Sequence, residues 1–445
     1  MKNTTIQRIR FFAYSVLFII PFGAKKLLMI GRPEFFEYAR EFSSFFFYVV
    51  DILLLLFLFF SLFYFKKKFF KHEVFDWIVC GILLCVGFSL FFVNDTAFSL
   101  YAFLRLGLAI LFALGIRTCV REGIILFQGF CSVIGISAVL QSVLAIAQFI
   151  LQQSVGVRIL GESVIRSTTP GVARVAIGGV NYLRAYGTMP HANILAAFFV
   201  MGLSALILLF FITSREKHLL RTLLPIGIFL VLIGLILTFS RSGWIVAAFL
   251  ISSTLAYGFI YRAWRRSAIE LLGILVGFVV VLSLIFGWAI IPRAGFAKGE
   301  PSVDHRVFYN EIGIHLIQER PLGVGIGNQV LFSVKDGSYL GKGLDKVWTW
   351  QPIHNLFILL TVELGIQGLL LFLALLFVVF TPHKWTPHYI SITLLFVAFL
   401  LFGLFDHFFW DLEAGRLMFW AVLGIMMGLS PHRSMDRTLA SEAGN

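Results

Sequence analysis

The sequence has little charge. Asp, Glu, Lys and Arg make up 13% of its 445 residues, whereas soluble globular domains carry about 25%. Hydrophobic residues account for 59%, and the mean hydropathy is +0.92. This composition excludes an ordinary soluble domain.

Acidic residues are the scarcer charged type, with 23 Asp and Glu against 36 Lys and Arg, so the formal net charge is +13. In a soluble protein this basic excess would point to nucleic acid. In a membrane protein, however, Lys and Arg collect at the cytoplasmic ends of the spanning helices whatever the function. We therefore expect no nucleic-acid partner.

Long apolar runs are abundant instead. Runs of about 20 hydrophobic residues recur along the whole chain, which is the length that a helix needs to cross a bilayer. The sequence predicts an all-α, polytopic integral membrane protein with about 12 transmembrane helices. The predicted spans are residues 10–24, 43–65, 74–93, 97–116, 124–151, 191–213, 221–239, 243–262, 268–291, 353–380, 389–405 and 417–430.

Basic residues in the short connections predict the orientation. Lys66–Lys68 after the second span and Arg262 after the eighth lie on the same side as both termini, which we therefore place in the cytoplasm. The long segments 152–190 and 292–352 then face outward, and we expect short amphipathic helices in the second. The first span could also be a signal peptide, and its removal would leave every later span in place.

The chain is accordingly divided into three parts. Residues 1–151 are N-terminal transmembrane helices, residues 152–430 form a transmembrane core with the two long outer segments, and residues 431–445 are a cytoplasmic tail. The four cysteines fall in or beside spans, so we expect no disulfide. These cysteines are Cys80, Cys85, Cys119 and Cys131.

Polar residues at membrane depth mark candidate sites, because an ionisable group there costs roughly 2.5–3.5 kcal/mol on insertion scales. Five segments carry such residues, and all five are predicted at the outer face. They are LRAYGTMPHANILAAF (183–198) with Arg184 and His191, LTFSRSGW (237–244) with Arg241, VDHRVFYNEIGIHLIQERPLGVGIGN (303–328) with Arg306 and Arg320, QPIHNLFILLTVELGIQGLLLFL (351–373) with His354, Asn355 and Glu363, and FDHFFWDLEAGRLMFW (405–420) with Asp406 and His407.

Local patterns within two of these segments predict structure. Ser240 can cap a helix beginning at Arg241. In the third segment Phe308, Ile312 and Leu316 recur at helical spacing behind Asp304 as N-cap, which predicts a helix lying on the membrane surface. The glycines of GVGIGN are better explained by a sharp turn than by a nucleotide site, because no strand precedes them.

The chemistry of these residues favours a phosphorylated substrate. Arginine donates paired hydrogen bonds to phosphate, and a histidine with a pKa near 6.5 can act as a base at neutral pH. The plainer interpretations are an arginine that anchors a hairpin and a histidine that only makes a structural hydrogen bond. We expect no metal and no cofactor, because no HExxH motif occurs and the outer carboxylates look scattered.

The order of SRSGW, ERPLGVGIGN and HNLFILLTVELGIQGLLLFL resembles the O-antigen ligase and O-antigen polymerase superfamily, from about residue 184 to 420. The resemblance implies a metal-independent, inverting glycosyltransferase at the outer face of the bacterial inner membrane. It implies a glycan donor linked to undecaprenyl pyrophosphate and, as acceptor, lipid A-core, another glycan or a protein. His354 matches the family's catalytic histidine, and Arg241, Arg306 and Arg184 match its arginines.

On this basis we hypothesise that His354 deprotonates the acceptor while Arg241 and Arg306 bind the pyrophosphate and Arg184 assists. We also expect substrate contacts from Asn355, His191, Arg320, Glu363, Asp406 and His407, and a groove open to membrane lipid. Ligase, polymerase and protein O-oligosaccharyltransferase remain open. A transporter or flippase of lipid-linked sugars is disfavoured, because transporters place polar groups near the midplane and often show internal repeats. Arg105 can pair with Asp51 or with Glu363.

Overall fold

The computed structural model describes residues 2–31, 41–169, 171–295, 301–382 and 384–430. The predicted tail, residues 431–445, lies outside them. The described residues are mostly helical. The α-helices are α1 (Lys2–Ile19), α2 (Val49–Phe65), α3 (Val74–Ser89), α4 (Thr96–Arg121), α5 (Phe127–Leu151), α6 (Ala192–Ile212), α7 (His218–Leu237), α8 (Arg241–Ile260), α9 (Arg265–Ala294), α10 (Pro301–Glu319), α11 (Gln329–Lys335), α12 (Leu356–Phe380), α13 (Pro387–Gly403), α14 (Phe408–Asp411) and α15 (Glu413–Leu429).

Each predicted span overlaps one of these helices. Within the described residues, α3 to α9 and α12 are long and apolar enough to cross a membrane, and α2 and α13 are shorter apolar helices. The chain is therefore a polytopic α-helical membrane protein. That α1, α2, α13 and α15 also span the bilayer stays a prediction.

Four short strands, which the sequence analysis did not predict, accompany the helices. β1 (Lys25–Ile30) pairs antiparallel with β2 (Ser44–Tyr48), and β3 (Arg174–Ile177) pairs with β4 (Val180–Leu183). The predicted second span, 43–65, thus begins as a strand, because its aromatic residues pair with a segment earlier in the chain. The predicted first span is also shifted, since α1 ends at Ile19.

Helix α6 lies at the centre of the bundle. Its side chains are buried from Ala192 to Phe211, and it packs against α5, α7, α8 and α13. A helix that is apolar on every side must be enclosed by its neighbours. Helix α9, in contrast, leaves most of its apolar surface uncovered by protein, as expected for a helix that faces lipid.

Helix α12 is broken within its length. Gly365 has φ +76° and ψ −177°, so the i→i−4 hydrogen-bond ladder stops there. The N–H groups of Val324 and Gly325 donate to the carbonyls of Val362 and Glu363 at 2.8 and 2.9 Å. Because lipid supplies no hydrogen-bond partner, such a break is tolerated only where other protein groups satisfy the backbone.

The glycine turn that satisfies this break confirms the prediction for GVGIGN. Gly323, Gly325 and Gly327 have φ values of +92°, +94° and +66°, a region that favours glycine. A Cβ on Gly323 would also lie 2.6 Å from the carbonyl oxygen of Glu363. These glycines therefore permit both the turn and its close approach to α12.

Helix α10 packs on the bundle, and that it lies on the membrane surface stays a prediction. Ile312 and Leu316 are buried, and the helix packs against α12. Helix α10 also begins at Pro301, so Asp304 lies in its first turn rather than at the N-cap. The apolar stripe seen in the sequence thus contacts protein.

The partner of Arg105 is Asp51. The Nη1 of Arg105 contacts the Asp51 carboxylate and lies 3.7 Å from the Glu413 carboxylate. The Nη2 of Arg105 donates to the carbonyl of Phe46 at 3.2 Å. All three charged side chains are buried. Glu363 instead accepts from the indole N–H of Trp410 at 2.7 Å, and Glu413 was not anticipated from the sequence.

We predict that Arg105→Met destabilises the protein strongly. Removing one partner of a buried ion pair leaves an uncompensated charge, at a cost of about 3–5 kcal/mol. The apparent Tm of the detergent-solubilised protein should fall clearly, and Arg105→Met with Asp51→Leu should recover part of the loss. The control is Lys68→Met, which removes the exposed pair with Glu122; equal effects of the two single variants would contradict this role.

Candidate active site

The candidate site lies at the face of the bundle that carries residues 152–190 and 292–352, which we call the loop face. At this face α7 turns into α8 through Thr238–Ser240, and the buried Phe239 has φ +49°. The Ser240 hydroxyl accepts from Gly243 N–H at 3.3 Å, which confirms the predicted cap. Arg241 begins α8 and donates to the carbonyl of Gly295 at 3.3 Å.

Buried Arg184 ties this turn to other parts of the loop face. Its Nε donates to the carbonyl of Thr238 and its Nη2 to the side-chain oxygen of Asn193, both at 2.6 Å. The Asn193 amide in turn donates to the Asp406 carboxylate at 2.8 Å. One hydrogen-bonded chain therefore connects the α7–α8 turn, the first turn of α6 and the turn that follows α13.

His354 lies just before α12. Its Nδ1 is 2.8 Å from the carbonyl oxygen of Pro352, so Nδ1–H is the donor and Nε2 carries the lone pair. Its ring stacks on Tyr309 with centroids 5.1 Å apart and meets His407 edge-on at 4.9 Å. Burial, together with His407 and Arg306, lowers the pKa of His354 to about 3. The imidazole is therefore neutral at pH 7.

Two carboxylates set the state of His407. Its Nδ1 lies 2.8 Å from Asp411, and its Nε2 lies 3.8 Å from Asp406. Burial alone would lower the pKa of His407, but these two carboxylates outweigh it and raise the value. Burial opposes ionisation of Asp406 as well, yet His407, His354 and Arg306 lower its pKa to about 2. Asp406 is accordingly ionised.

Two cavities meet at His354. The first, which we call the arginine cavity, has a volume of about 680 Å³. Among the described residues that line it four are arginine and none is acidic; the arginines are Arg174, Arg184, Arg293 and Arg306. Burial, followed by the charge of Arg293, lowers the pKa of Arg184 to about 9. This cavity repels cations and favours an anion.

The second cavity has a volume of about 530 Å³ and is also lined by His354. His191 and His354 line both cavities. Asp406 and His407 line the second, together with aromatic side chains; these are Phe42, Phe46, Tyr186 and Trp348. The loop face can therefore hold two molecules that approach each other at His191 and His354.

The structure brings together most of the predicted site residues. His354, Arg184, Arg306, His191, Asp406 and His407 line the two cavities, and Arg241 contacts the cavity wall at Gly295. Sequence reasoning missed Asn193, Arg174, Arg293 and Tyr309. Asn193 lay within a quoted segment, but its partner Asp406 is 213 positions away.

Three predicted substrate contacts lie elsewhere. The side-chain oxygen of Asn355 accepts from the N–H groups of Phe357 and Ile358, so Asn355 is the N-cap of α12. Exposed Arg320 lies over the ring of Phe332. Glu363 accepts from the indole N–H of Trp410 at 2.7 Å, beside the break in α12. Neither cavity is lined by any of these three.

One group of potential metal ligands occurs among the described residues. A ligand atom from each of His354, Asp406 and His407 lies within 4.8 Å of the others. The expectation that the outer carboxylates are scattered is therefore wrong for Asp406. Its position beside His354 could not be read from the sequence, because the two residues lie on different helix connections.

Comparison with known families supports the resemblance found in the sequence. Residues 226–373 match the family described as O-antigen ligase. Over these residues the chain is similar to the O-antigen ligase family. The matched region runs from α7 into α12 and includes Arg241, Arg306 and His354, so the resemblance predicted from the motifs is confirmed. No curated protein matches the chain.

The O-antigen ligase domain indicates the broad function. The match supports a membrane enzyme of the O-antigen ligase and polymerase type and suggests glycosyltransferase-like ligase activity. The O-antigen ligase family implies, in general terms, a lipid-linked glycan and an acceptor as partners, and this family is found in the bacterial inner membrane.

We predict that Asn355 acts through its cap. Asn355→Ala should destabilise the protein by about 1 kcal/mol, since two N–H groups of α12 lose their acceptor. Asn355→Ser keeps a capping oxygen and should retain both the apparent Tm and glycan transfer. If Asn355→Ser kept its Tm but lost transfer, the residue would contact substrate after all.

Proposed function

We propose that this enzyme transfers a glycan from undecaprenyl pyrophosphate to an acceptor hydroxyl at the outer face of the inner membrane. The observation that carries the proposal is the meeting of the arginine cavity with the second cavity at His354. The donor binds in the arginine cavity and the acceptor in the second. The loop face then faces the periplasm, as the basic residues of the connections predict.

The arginines stabilise the leaving group. When the bond between the anomeric carbon and the phosphate oxygen breaks, negative charge develops on the departing undecaprenyl pyrophosphate. Fixed guanidinium groups in a partly dry site stabilise such charge without having to reorganise. Arg184 donates to a carbonyl and to an amide oxygen, and no acidic residue is among the described residues that line the arginine cavity. The charge of Arg184 and Arg306 is therefore available to an anion. This arrangement supports transfer without a metal.

His354 removes the acceptor proton. Its Nδ1–H is held by the Pro352 carbonyl, which directs the Nε2 lone pair away from that carbonyl. The acceptor oxygen forms its bond to the anomeric carbon from the face opposite the pyrophosphate, its proton passes to Nε2, and the configuration inverts. Ionised Asp406 lies beside the imidazolium that results.

The second cavity favours a carbohydrate acceptor. Its aromatic side chains provide flat apolar surfaces, while Glu41, Asp406 and Gln351 supply hydrogen-bonding groups. Pockets that combine apolar walls with a few convergent polar groups orient a ligand. We therefore favour ligase-type transfer to a glycan, such as lipid A-core. Polymerase and protein O-oligosaccharyltransferase activity use the same chemistry.

Reconstitution with a lipid-pyrophosphate oligosaccharide and candidate acceptors tests the proposal. A single shifted product band on a gel is expected for a ligase, whereas a ladder would indicate a polymerase. Movement of the lipid across the membrane without any product would contradict an enzyme and indicate a transporter.

His354→Ala should reduce transfer by about 10²–10⁴-fold, because that is what a positioned general base contributes. The variant should keep its apparent Tm and its place in the membrane. His315→Ala is the matched control, since His315 is an exposed histidine of α10. Full activity of His354→Ala in the reconstituted assay would contradict the base assignment.

Arg306→Lys should reduce transfer by about 10-fold or more, since lysine keeps the charge but lacks the paired donors that fit a phosphate. The rate is compared with that of Arg266→Lys, an exposed arginine in the first turn of α9 at the opposite face. Wild-type rates for Arg306→Lys would show that the paired geometry is unnecessary.

A further inference from the structure

We propose that His354, Asp406 and His407 form a binding site for a divalent transition metal ion of the Zn²⁺ class, and that the bound ion inhibits transfer. The first part stands on the geometry of the three side chains. The second part rests on the proposed role of His354 as the base.

The three side chains supply a suitable set of ligands. Two imidazole nitrogens and one carboxylate oxygen lie within 4.8 Å of one another. Zinc sites with three protein ligands commonly use histidine and carboxylate, with metal–ligand bonds of about 2.0–2.2 Å. Ligand atoms around a tetrahedral ion are then about 3.3 Å apart. Binding therefore requires the three atoms to draw together by at most about 1.5 Å.

Both histidines are already oriented as metal ligands usually are. Such histidines present one ring nitrogen to the metal while the other donates to a carbonyl or carboxylate. The Nδ1 of His354 lies 2.8 Å from the Pro352 carbonyl, and that of His407 lies 2.8 Å from Asp411. In each ring Nε2 is thus the nitrogen left for the metal.

The carboxylate ligand is held in a comparable way. The Asn193 amide donates to Asp406 Oδ2 at 2.8 Å, and the backbone N–H of His407 donates to Oδ1 at 2.9 Å. Asp406 and Asp411 provide two negative charges beside the cation, and the second cavity gives access for water as a fourth ligand. Arg306 lies close enough to weaken binding electrostatically.

A metal at this position removes the base. The lone pair of His354 Nε2 that would accept the acceptor proton is donated to the metal instead. Inhibition should therefore be relieved by a chelator, while metal-free enzyme should lose nothing when the chelator is added.

The test uses the full-length protein in detergent after removal of metals by a chelator. Co²⁺ serves as the spectroscopic probe, because its visible absorption is intense in four-coordinate sites, and Zn²⁺ is titrated in competition. We expect one Co²⁺ per chain, displaced by Zn²⁺. A chain that binds no stoichiometric Co²⁺, or only octahedral Co²⁺ with weak absorption, would overturn the proposal.

Variants assign the site. His407→Ala should abolish the Co²⁺ spectrum, and Asp411→Asn should weaken binding about 10–100-fold, since it removes only the group that orients His407. His315→Ala should bind as the wild type does. An unchanged spectrum with His407→Ala would place the metal elsewhere. Gel filtration and apparent Tm identify a misfolded variant, in which case Asp411→Asn decides the assignment.

The reconstituted assay tests the inhibition separately. Zn²⁺ at saturating concentration should reduce wild-type transfer at least 10-fold, with recovery after chelation. Binding without inhibition would overturn the second part of the proposal and would argue against His354 as the base. Loss of the Co²⁺ spectrum, in contrast, leaves the proposed transfer reaction untouched, so the two failures are distinguishable.

Discussion

Arg184 links three parts of the loop face, and it hydrogen-bonds directly to two of them. Its guanidinium holds the carbonyl of Thr238 in the α7–α8 turn and the side chain of Asn193 in α6, and Asn193 continues to Asp406. A buried guanidinium is costly unless its donors are satisfied. The folded connections satisfy two of them, and we propose that the pyrophosphate provides the compensating negative charge. The cation that organises the site thus also favours its substrate.

The break in α12 helps to place His354 beside the arginines of the arginine cavity. Residues 321–325 occupy the break and satisfy the backbone at Val362 and Glu363. The first half of α12, which begins just after His354, is thereby joined to the segment that follows α10, and α10 itself carries Arg306 and Tyr309. His354 stacks on Tyr309 as a result. The glycines of GVGIGN are therefore explained by the break in α12, because they form the turn that satisfies its backbone.

Hydropathy predicted the helices well, because the free energy of placing an apolar segment in lipid depends on the composition of that segment and not on distant contacts. The strand Ser44–Tyr48 was missed because its partner Lys25–Ile30 lies earlier in the chain. Motifs on one face identified His354, Arg306 and Arg184. They could not show that Asn193 joins Arg184 to Asp406, or that Asn355 caps α12, since those roles depend on contacts made only in the folded chain.

The structure of the enzyme with a polyprenyl-pyrophosphate glycan bound tests this account most directly. We expect the pyrophosphate in the arginine cavity, within hydrogen-bond distance of Arg306, and the anomeric carbon on the side of His354. Diphosphate found in the second cavity, or a glycan whose anomeric carbon is remote from His354, would contradict the account.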